Sequence, residues 1–508
     1  MTPEMDRKPE IVQNTKPGQD GKPAMDRRKF LGGAAAAGVF TIVPRHVLGG
    51  QAYVAPSDKI TLGYIGIGTQ GIRELLQMLP TPEIQVVAVC DPNKDSDHYV
   101  EFSKGSIVRM VQPFLKNPNW RAHAPAAPGG REVGKEIVET YYAEQRAADK
   151  FGGVTAYADF RELLDKENVE IVIVATPDHW HALNTIAALK AGAHVFVEKP
   201  TGHTIQESQA MLKVARQADR VVQVGLHRRI GPHYVSAMKF LKDNGIGDIG
   251  MVRMFAHSKG DKELPSPNSA PPEGMDWDMY CGPAPMRPFN RKIHPGGFRN
   301  FLDFANGTLG DWGVHWLDQV LWWTEEKYPR QVFSTGGRPV FGEPIQTVKE
   351  QTTDAPDSQV AIYRFESFTA TWEHRKFAGN NAEKADIGCY FYGTKGTLHI
   401  GWRDGWTFYP ANPKQATVHE DAQLQQPDGH NIQLLWADFL HCIESGAHPV
   451  SNIEVGHRAT TLSLLGMLSY KLGRSIQWDG DKESIVGDAE ASKLLRREYR
   501  RPWEYPEV

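Results

Sequence analysis

Ile60-Thr61-Leu62-Gly63-Tyr64-Ile65-Gly66-Ile67-Gly68-Thr69-Gln70-Gly71 is the stretch whose reading decides the fold. The apolar run Ile60 to Ile67 reads as a buried first strand, and Gly71 to Leu79 as the helix after it. Gly66-x-Gly68-x-x-Gly71 lies between the two, where glycines permit a tight turn and a close backbone approach to a pyrophosphate. The helix N-terminus then offers N–H donors and a favourable dipole, and Thr69 and Gln70 complete the turn. A second apolar strand, Gln85 to Cys90, is closed by Asp91-Pro92. A carboxylate at that strand end accepts hydrogen bonds from ribose hydroxyls and repels a 2′-phosphate, so the expected cofactor is NAD in preference to NADP.

Outward from this unit, strand and helix alternate. Val154–Tyr157, Glu170–Ala175, His194–Glu198 and Val221–Val224 read as strands, separated by helices at Asp159–Lys166, His181–Ala191 and Ile205–Ala218. This repetition predicts an α/β, Rossmann-type domain with a doubly wound parallel sheet over residues 58–230. Residues 93–153 exceed a simple crossover and are expected to form a surface insertion, with a polar helix around Val133–Lys150. Beyond about residue 230 the pattern changes. Met251–His257, Gln359–Phe365, Thr369–His374 and Gly396–Ile400 read as strands of a large, mostly antiparallel sheet in an α+β domain spanning 231–508. Helices are expected there at Asn431–Glu444 and Val455–Leu472.

Residues 1–57 read as a leader and linker. Asp26-Arg27-Arg28-Lys29-Phe30-Leu31 before the apolar stretch Gly32–Val43 is a twin-arginine signal, and that stretch is too short to span a membrane. The segment before it is polar and reads as disordered, with Met25 a second candidate start. No clear cleavage site follows, so the protein is expected in the periplasm or otherwise exported, and tethered if the signal is retained. An exported dinucleotide enzyme carries its cofactor with it, which implies tight binding. The net charge of −4 argues against a nucleic-acid partner. Four scattered cysteines imply neither a disulfide framework nor a metal site.

Two constellations point to chemistry. Val195-Phe196-Val197-Glu198-Lys199-Pro200 brings a lysine to the carboxyl end of a sheet strand, where open parallel sheets bind ligands. Lys199 there can hydrogen-bond a substrate hydroxyl and move its proton, although a solvated surface lysine fits the same residues. In Gly310-Asp311-Trp312-Gly313-Val314-His315-Trp316, a helix would project Asp311 and His315 from one face to share a substrate hydroxyl. A helix cap with a buried histidine is the alternative; no third ligand for a metal is apparent.

With Ala175-Thr176-Pro177-Asp178-His179-Trp180-His181 and Gly225-Leu226-His227-Arg228-Arg229, these segments resemble the Gfo/Idh/MocA oxidoreductases, over roughly residues 58–480. The resemblance implies NAD(P)-dependent action on sugars or polyols, with Lys199 and His315 as acid/base groups and Asp311 orienting substrate or histidine. It also implies a cofactor site that includes Thr176, Pro177, His181, Glu198 and Lys199, a cis peptide before Pro200, and homo-oligomers. Trp277, Tyr280 and Arg299 look like substrate contacts of exported members, joined by His227 and Arg228; Trp277 packing a loop is the plain alternative. Three outcomes stay open: net hydride transfer from a sugar, polyol or glycoside hydroxyl, redox-neutral glycoside cleavage by oxidation and elimination, or sugar binding without catalysis. The sugar itself is not written in the sequence.

Overall fold

In the computed structural model of the protein, residues 58–101, 103–145, 151–380, 382–424 and 427–507 are described. The twin-arginine stretch lies outside them. Six short strands make the first sheet: β1 (Ile60–Ile65), β2 (Ile84–Cys90), β3 (Thr155–Tyr157), β4 (Ile171–Val174), β5 (His194–Val197) and β6 (Val222–Val224). Their order is β3-β2-β1-β4-β5-β6, and every pairing is parallel. All four residues of β4, Ile-Val-Ile-Val, are buried, as a strand covered by helices on both faces requires. The order reverses between β1 and β4, and the crevice beyond that switch point is where such sheets take ligands.

Helices α1 (Thr69–Met78), α2 (Ser106–Phe114), α3 (Arg131–Gln145), α4 (Phe160–Lys166), α5 (Asp178–Lys190) and α6 (Ile205–Ala218) belong to this domain. Asp159 caps α4 by accepting from Arg161 N, and Thr204 with Glu207 forms a reciprocal capping box on α6. The 93–153 interval is not the surface insertion its composition predicts. Val133, Ile137, Val138 and Tyr142 recur at helical spacing along α3 and are buried in the core of the first sheet. Val86 N on β2 donates to the Tyr142 hydroxyl at 2.9 Å. The many Glu and Lys residues between them hide this narrow apolar stripe.

The second sheet has ten strands: β7 (Ile249–His257), β8 (Gln331–Gly337), β9 (Ser358–Arg364), β10 (Thr369–Arg375), β11 (Ile387–Gly393), β12 (Gly396–Gly401), β13 (Trp406–Pro410), β14 (Val418–Glu420), β15 (Ile476–Asp479) and β16 (Ser484–Ile485). They run in the order β14-β13-β12-β11-β7-β10-β9-β8-β15-β16, antiparallel throughout except for β7 beside β10. Burial alternates residue by residue along β9, so one face packs on the core and the other stays open. Helices α7 (Val314–Trp323) and α9 (Ile453–Leu472) cover the packed face, with Trp316, Leu465 and Trp372 in one cluster.

Helix α8 (Pro427–Ser445), which the sequence reading gives to the second domain, packs on the first: Leu435, Trp436 and Phe439 join its core, and the Trp436 ring lies 5.5 Å from Phe196 on β5. The start of α9 is also fixed to the first domain. Val224 N donates to Ser451 O at 2.8 Å, and Thr201 N to the Thr460 hydroxyl at 3.0 Å.

Candidate active site

The glycine turn is built for backbone proximity. Gly66 has φ +99°, and a Cβ there would stand 2.6 Å from the backbone of Ala175. A Cβ on Gly71 would stand 2.2 Å from Gly66 O. Gly68 precedes α1 with no side-chain cap, which leaves the first-turn N–H groups for an anion. Asp91 lies beneath the turn, 7% exposed; it accepts from Ile67 N and Asn93 N, each at 2.8 Å. Each carboxylate oxygen keeps a further lone pair for a ribose hydroxyl. Burial raises the Asp91 pKa to about 6 against the pull of those two N–H groups.

A cleft opens above the turn, lined by Gly66, Gly68, Thr69, Gln70 and Asp91 on one side. Thr176, Pro177, Glu198 and Lys199 line it further along, and Tyr280 and Arg299 come from the second domain. These groups fit a dinucleotide: a glycine cradle, free helix donors and a carboxylate acceptor in one crevice. The second domain also roofs it. Val100 N donates to Pro295 O at 3.1 Å, Lys94 N to Gly274 O and Asp276 N to Pro92 O, both at 3.0 Å. His181 does not line the cleft; its Nδ1 lies 2.6 Å from Pro200 O and its Nε2 2.8 Å from Thr176 O, joining the β4 and β5 ends.

Lys199 stands where this cleft meets a second cavity of about 510 Å³. The Lys199–Pro200 peptide is cis. Lys199 Nζ donates to the Asp311 carboxylate at 2.6 Å and to its carbonyl at 2.9 Å, and Arg299 Nε donates to the same carboxylate at 3.1 Å. Burial alone would raise the Asp311 pKa, but Lys199 and Arg299 outweigh it and hold the group at about 2. Asp311 occupies a wide π-type turn, Leu309–Gly313, that leads into α7. Among the described residues no hydrogen bond joins Asp311 to His315, so the shared-face arrangement reduces to proximity around one cavity. Burial, then the charge of Lys199, lowers the His315 pKa well below 6.5, so the ring is neutral. Its Nδ1 is buried without a partner, which leaves Nε2 as the nitrogen available to a ligand.

Of the other expected contacts, His227 lines the second cavity and is also neutral, held at about 3 by burial and by Arg228. Arg228 does not line it. Its guanidinium is 1% exposed, pairs with Asp428 and stacks 3.2 Å from the centroid of the Trp402 ring. Trp277 packs a loop: its Nε1 donates to Arg287 O at 2.7 Å and its ring stacks on Tyr280. Three groups at the site escaped the sequence reading. Trp402, just past β12, lines the second cavity with its ring 5.3 Å from His315. Asp178, at the start of α5, lines the dinucleotide cleft, and burial lifts its pKa to about 7. Glu74 on α1 is buried in hydrogen-bond contact with Glu198; burial first, then Glu198, pushes its pKa far up. Asp178 sits in the Ala175–His181 motif, whereas nothing local to Trp402 or Glu74 marks them.

Two family profiles match the chain, one described as an oxidoreductase family NAD-binding Rossmann fold over residues 116–226. The other, the C-terminal alpha/beta domain of the same oxidoreductase family, covers 250–334 and 420–505. The glycine turn precedes both ranges. Levoglucosan dehydrogenase of Pseudarthrobacter phenanthrenivorans is 36% identical over 126 residues, 25% of this chain and 32% of that protein. A glycosyl hydrolase family 109 protein of Shewanella baltica is 22% identical over 239 residues, 44% of either chain. The chain thus aligns with less than half the length of each relative. A solved complex of levoglucosan dehydrogenase with NADH and levoglucosan superposes with a TM-score of 0.56 at 19% identity, covering 82% of this chain and 99% of that one. At that identity the likeness speaks to fold alone. Both domains of one family, matched in chain order on a chain folded in this way, make the protein a member of the Gfo/Idh/MocA oxidoreductases.

Proposed function

We propose that the protein is an NAD-dependent oxidoreductase acting on a hydroxyl of a sugar, polyol or glycoside. The observation that carries this reading is Lys199, tied to Asp311 at 2.6 Å, at the junction of the glycine-turn cleft and a second cavity that neutral His315 also lines. NAD, when bound, supplies the hydride acceptor. Two of the three Lys199 N–H donors go to Asp311, and the third remains for the substrate oxygen. As an ammonium it stabilises the charge that develops on that oxygen, and His315 Nε2 accepts the proton. Asp311 holds the ammonium in place and keeps it paired in a buried site. Asp91 supports NAD over NADP, and the roof formed by residues 274–295 over the cleft supports tight retention.

A second reading is redox-neutral cleavage of a glycoside, in which the hydroxyl is oxidised only transiently and the leaving group is eliminated. The glycosyl hydrolase family 109 relative favours it. Arg27-Arg28 supports export, and the open face of the ten-stranded sheet, where Val360 and Ile362 are each 40% exposed, supports a homo-oligomer. The test is incubation of the purified protein, without added nucleotide, with glycosides and free sugars. Ketosugar or lactone formed with a second acceptor supports the oxidoreductase, released aglycone the cleavage reaction, and bound sugar without product sinks both. Lys199→Met is expected to lower kcat/KM by about 10²–10⁴, the usual worth of a positioned acid/base group.

A further inference from the structure

A third cavity, of about 400 Å³, has Asp311 in its wall but neither His315 nor Trp402. It shares Arg299, Asp311, Trp312, Asp386 and Ile387 with the second cavity, so the two adjoin at the partner of Lys199. Ligand clefts commonly enclose about 300–1,000 Å³, and either part alone already reaches that size. A single sugar ring beside Lys199 and His315 leaves the third part empty.

The walls of that part carry donors and acceptors in mixture. Lys376 Nζ bonds the Asn300 side-chain oxygen, and no carboxylate pairs with it among the described residues. Burial, opposed by Asp311, lowers the Lys376 pKa to about 8. Arg375 is held by His257 Nε2 at 3.1 Å and by Glu383 at 3.3 Å, while His257 Nδ1 is buried without a partner. Asp311 and Asp386 face the same space. An anionic ligand would meet those two carboxylates, and a cationic one would meet Arg299 and Lys376. Hydroxyl groups, which both donate and accept, suit such a wall, and Trp312 between the parts offers a ring surface for a sugar face.

We propose that the third cavity is a second subsite that takes the outer ring of a neutral glycoside, with Lys376 as its main hydrogen-bond donor, so that the substrate is of disaccharide size and straddles Asp311. The inference rests on the sugar-oxidising reading above, and the test separates the two. Calorimetric titration of the protein with its nucleotide loaded compares glucose and galactose with cellobiose, maltose and lactose, while absorbance at 340 nm follows hydride transfer in the same samples. The expected result is at least tenfold tighter binding of one disaccharide than of its constituent hexose. Lys376→Met and Lys376→Gln, checked for an unchanged unfolding temperature, should each cut that affinity ratio about tenfold, the worth of one well-placed hydrogen bond to a charged group. Equal affinity for one-ring and two-ring sugars, no binding of any disaccharide, or a ratio unmoved in both variants overturns the subsite. Discrimination in binding without any absorbance change leaves the subsite standing and overturns the oxidoreductase reading.

Discussion

In its proposed role as the ribose acceptor, Asp91 links local sequence to cofactor affinity. Its carboxylate is held by two backbone N–H groups, yet burial dominates and its pKa stands at about 6, above the roughly 3.9 of an unfolded aspartate. A carboxyl whose pKa rises on folding binds its proton more tightly in the native state. Its contribution to stability is therefore greatest at low pH and is lost as pH climbs from about 4 through 6. Affinity through the proposed ribose contact is expected to run the other way, because only the carboxylate accepts hydrogen bonds on both oxygens. NADH affinity, read by fluorescence titration, should fall about tenfold between pH 7.5 and pH 5, in line with the ~1.5–3 kcal/mol of a charged hydrogen bond. Asp91→Asn should bind weakly at both values and flatten the step; a wild-type affinity that ignores pH would contradict the ribose contact. Residues such as Gly66, Asp91, Lys199 and Asp311 could be picked from the sequence because each is bound to a strand end or a turn of recognisable pattern. Trp402 could not, since only the register of β12 against its neighbours carries it to His315. Nor could the direction of Trp277 and Arg228, which pack inward, be read from residue type.

At the scale of elements, the first strand, glycine turn and helix were legible because apolar period and glycine spacing agree there. Helix α3 was not, since its apolar stripe is narrower than its charged face. The wide turn at Leu309–Gly313 was also hidden, because a shift in helical hydrogen bonding leaves no mark on composition. The glycine turn invites a direct comparison. Gly66 and Gly192 both have positive φ, +99° and +88°, but a Cβ on Gly66 meets the Ala175 backbone at 2.6 Å whereas nothing lies within 4 Å of one on Gly192. Gly192→Ala should lose only the strain of a left-handed residue, about 1–2 kcal/mol, seen as a drop of a few degrees in Tm. Gly66→Ala adds a clash with backbone that cannot swing aside, and it should lose NADH binding as well. Full NADH affinity in Gly66→Ala would show that the turn tolerates a side chain and is not the cradle described here.

Across the whole molecule, two domains legible from a change in pattern are held together by contacts that no local pattern announces. Helix α8 packs on the first domain, and after β15 and β16 of the second sheet the C-terminal segment is fastened to the first domain by Arg497. Glu207, fully buried at the start of α6, accepts from Arg497 Nε at 2.9 Å and from the Tyr499 hydroxyl at 2.7 Å. Its other oxygen accepts from His203 N at 2.7 Å and Thr204 N at 3.0 Å, within the capping box. Arg497 also donates to Asp303 O at 3.2 Å and to His179 O at 3.1 Å, so one guanidinium spans both domains. Removing it strands a buried carboxylate, a change that typically costs about 3–5 kcal/mol. Lys239 and Asp243, an i,i+4 pair with side chains 74% and 60% exposed, give the contrast: exposed helix pairs are worth about 0.3–0.5 kcal/mol. In urea unfolding, Arg497→Leu should therefore lower the midpoint far more than Lys239→Ala, and a first transition should separate as the domains uncouple. A midpoint for Arg497→Leu as close to wild type as that of Lys239→Ala would mean that the C-terminal segment only covers the first domain and does not fasten it.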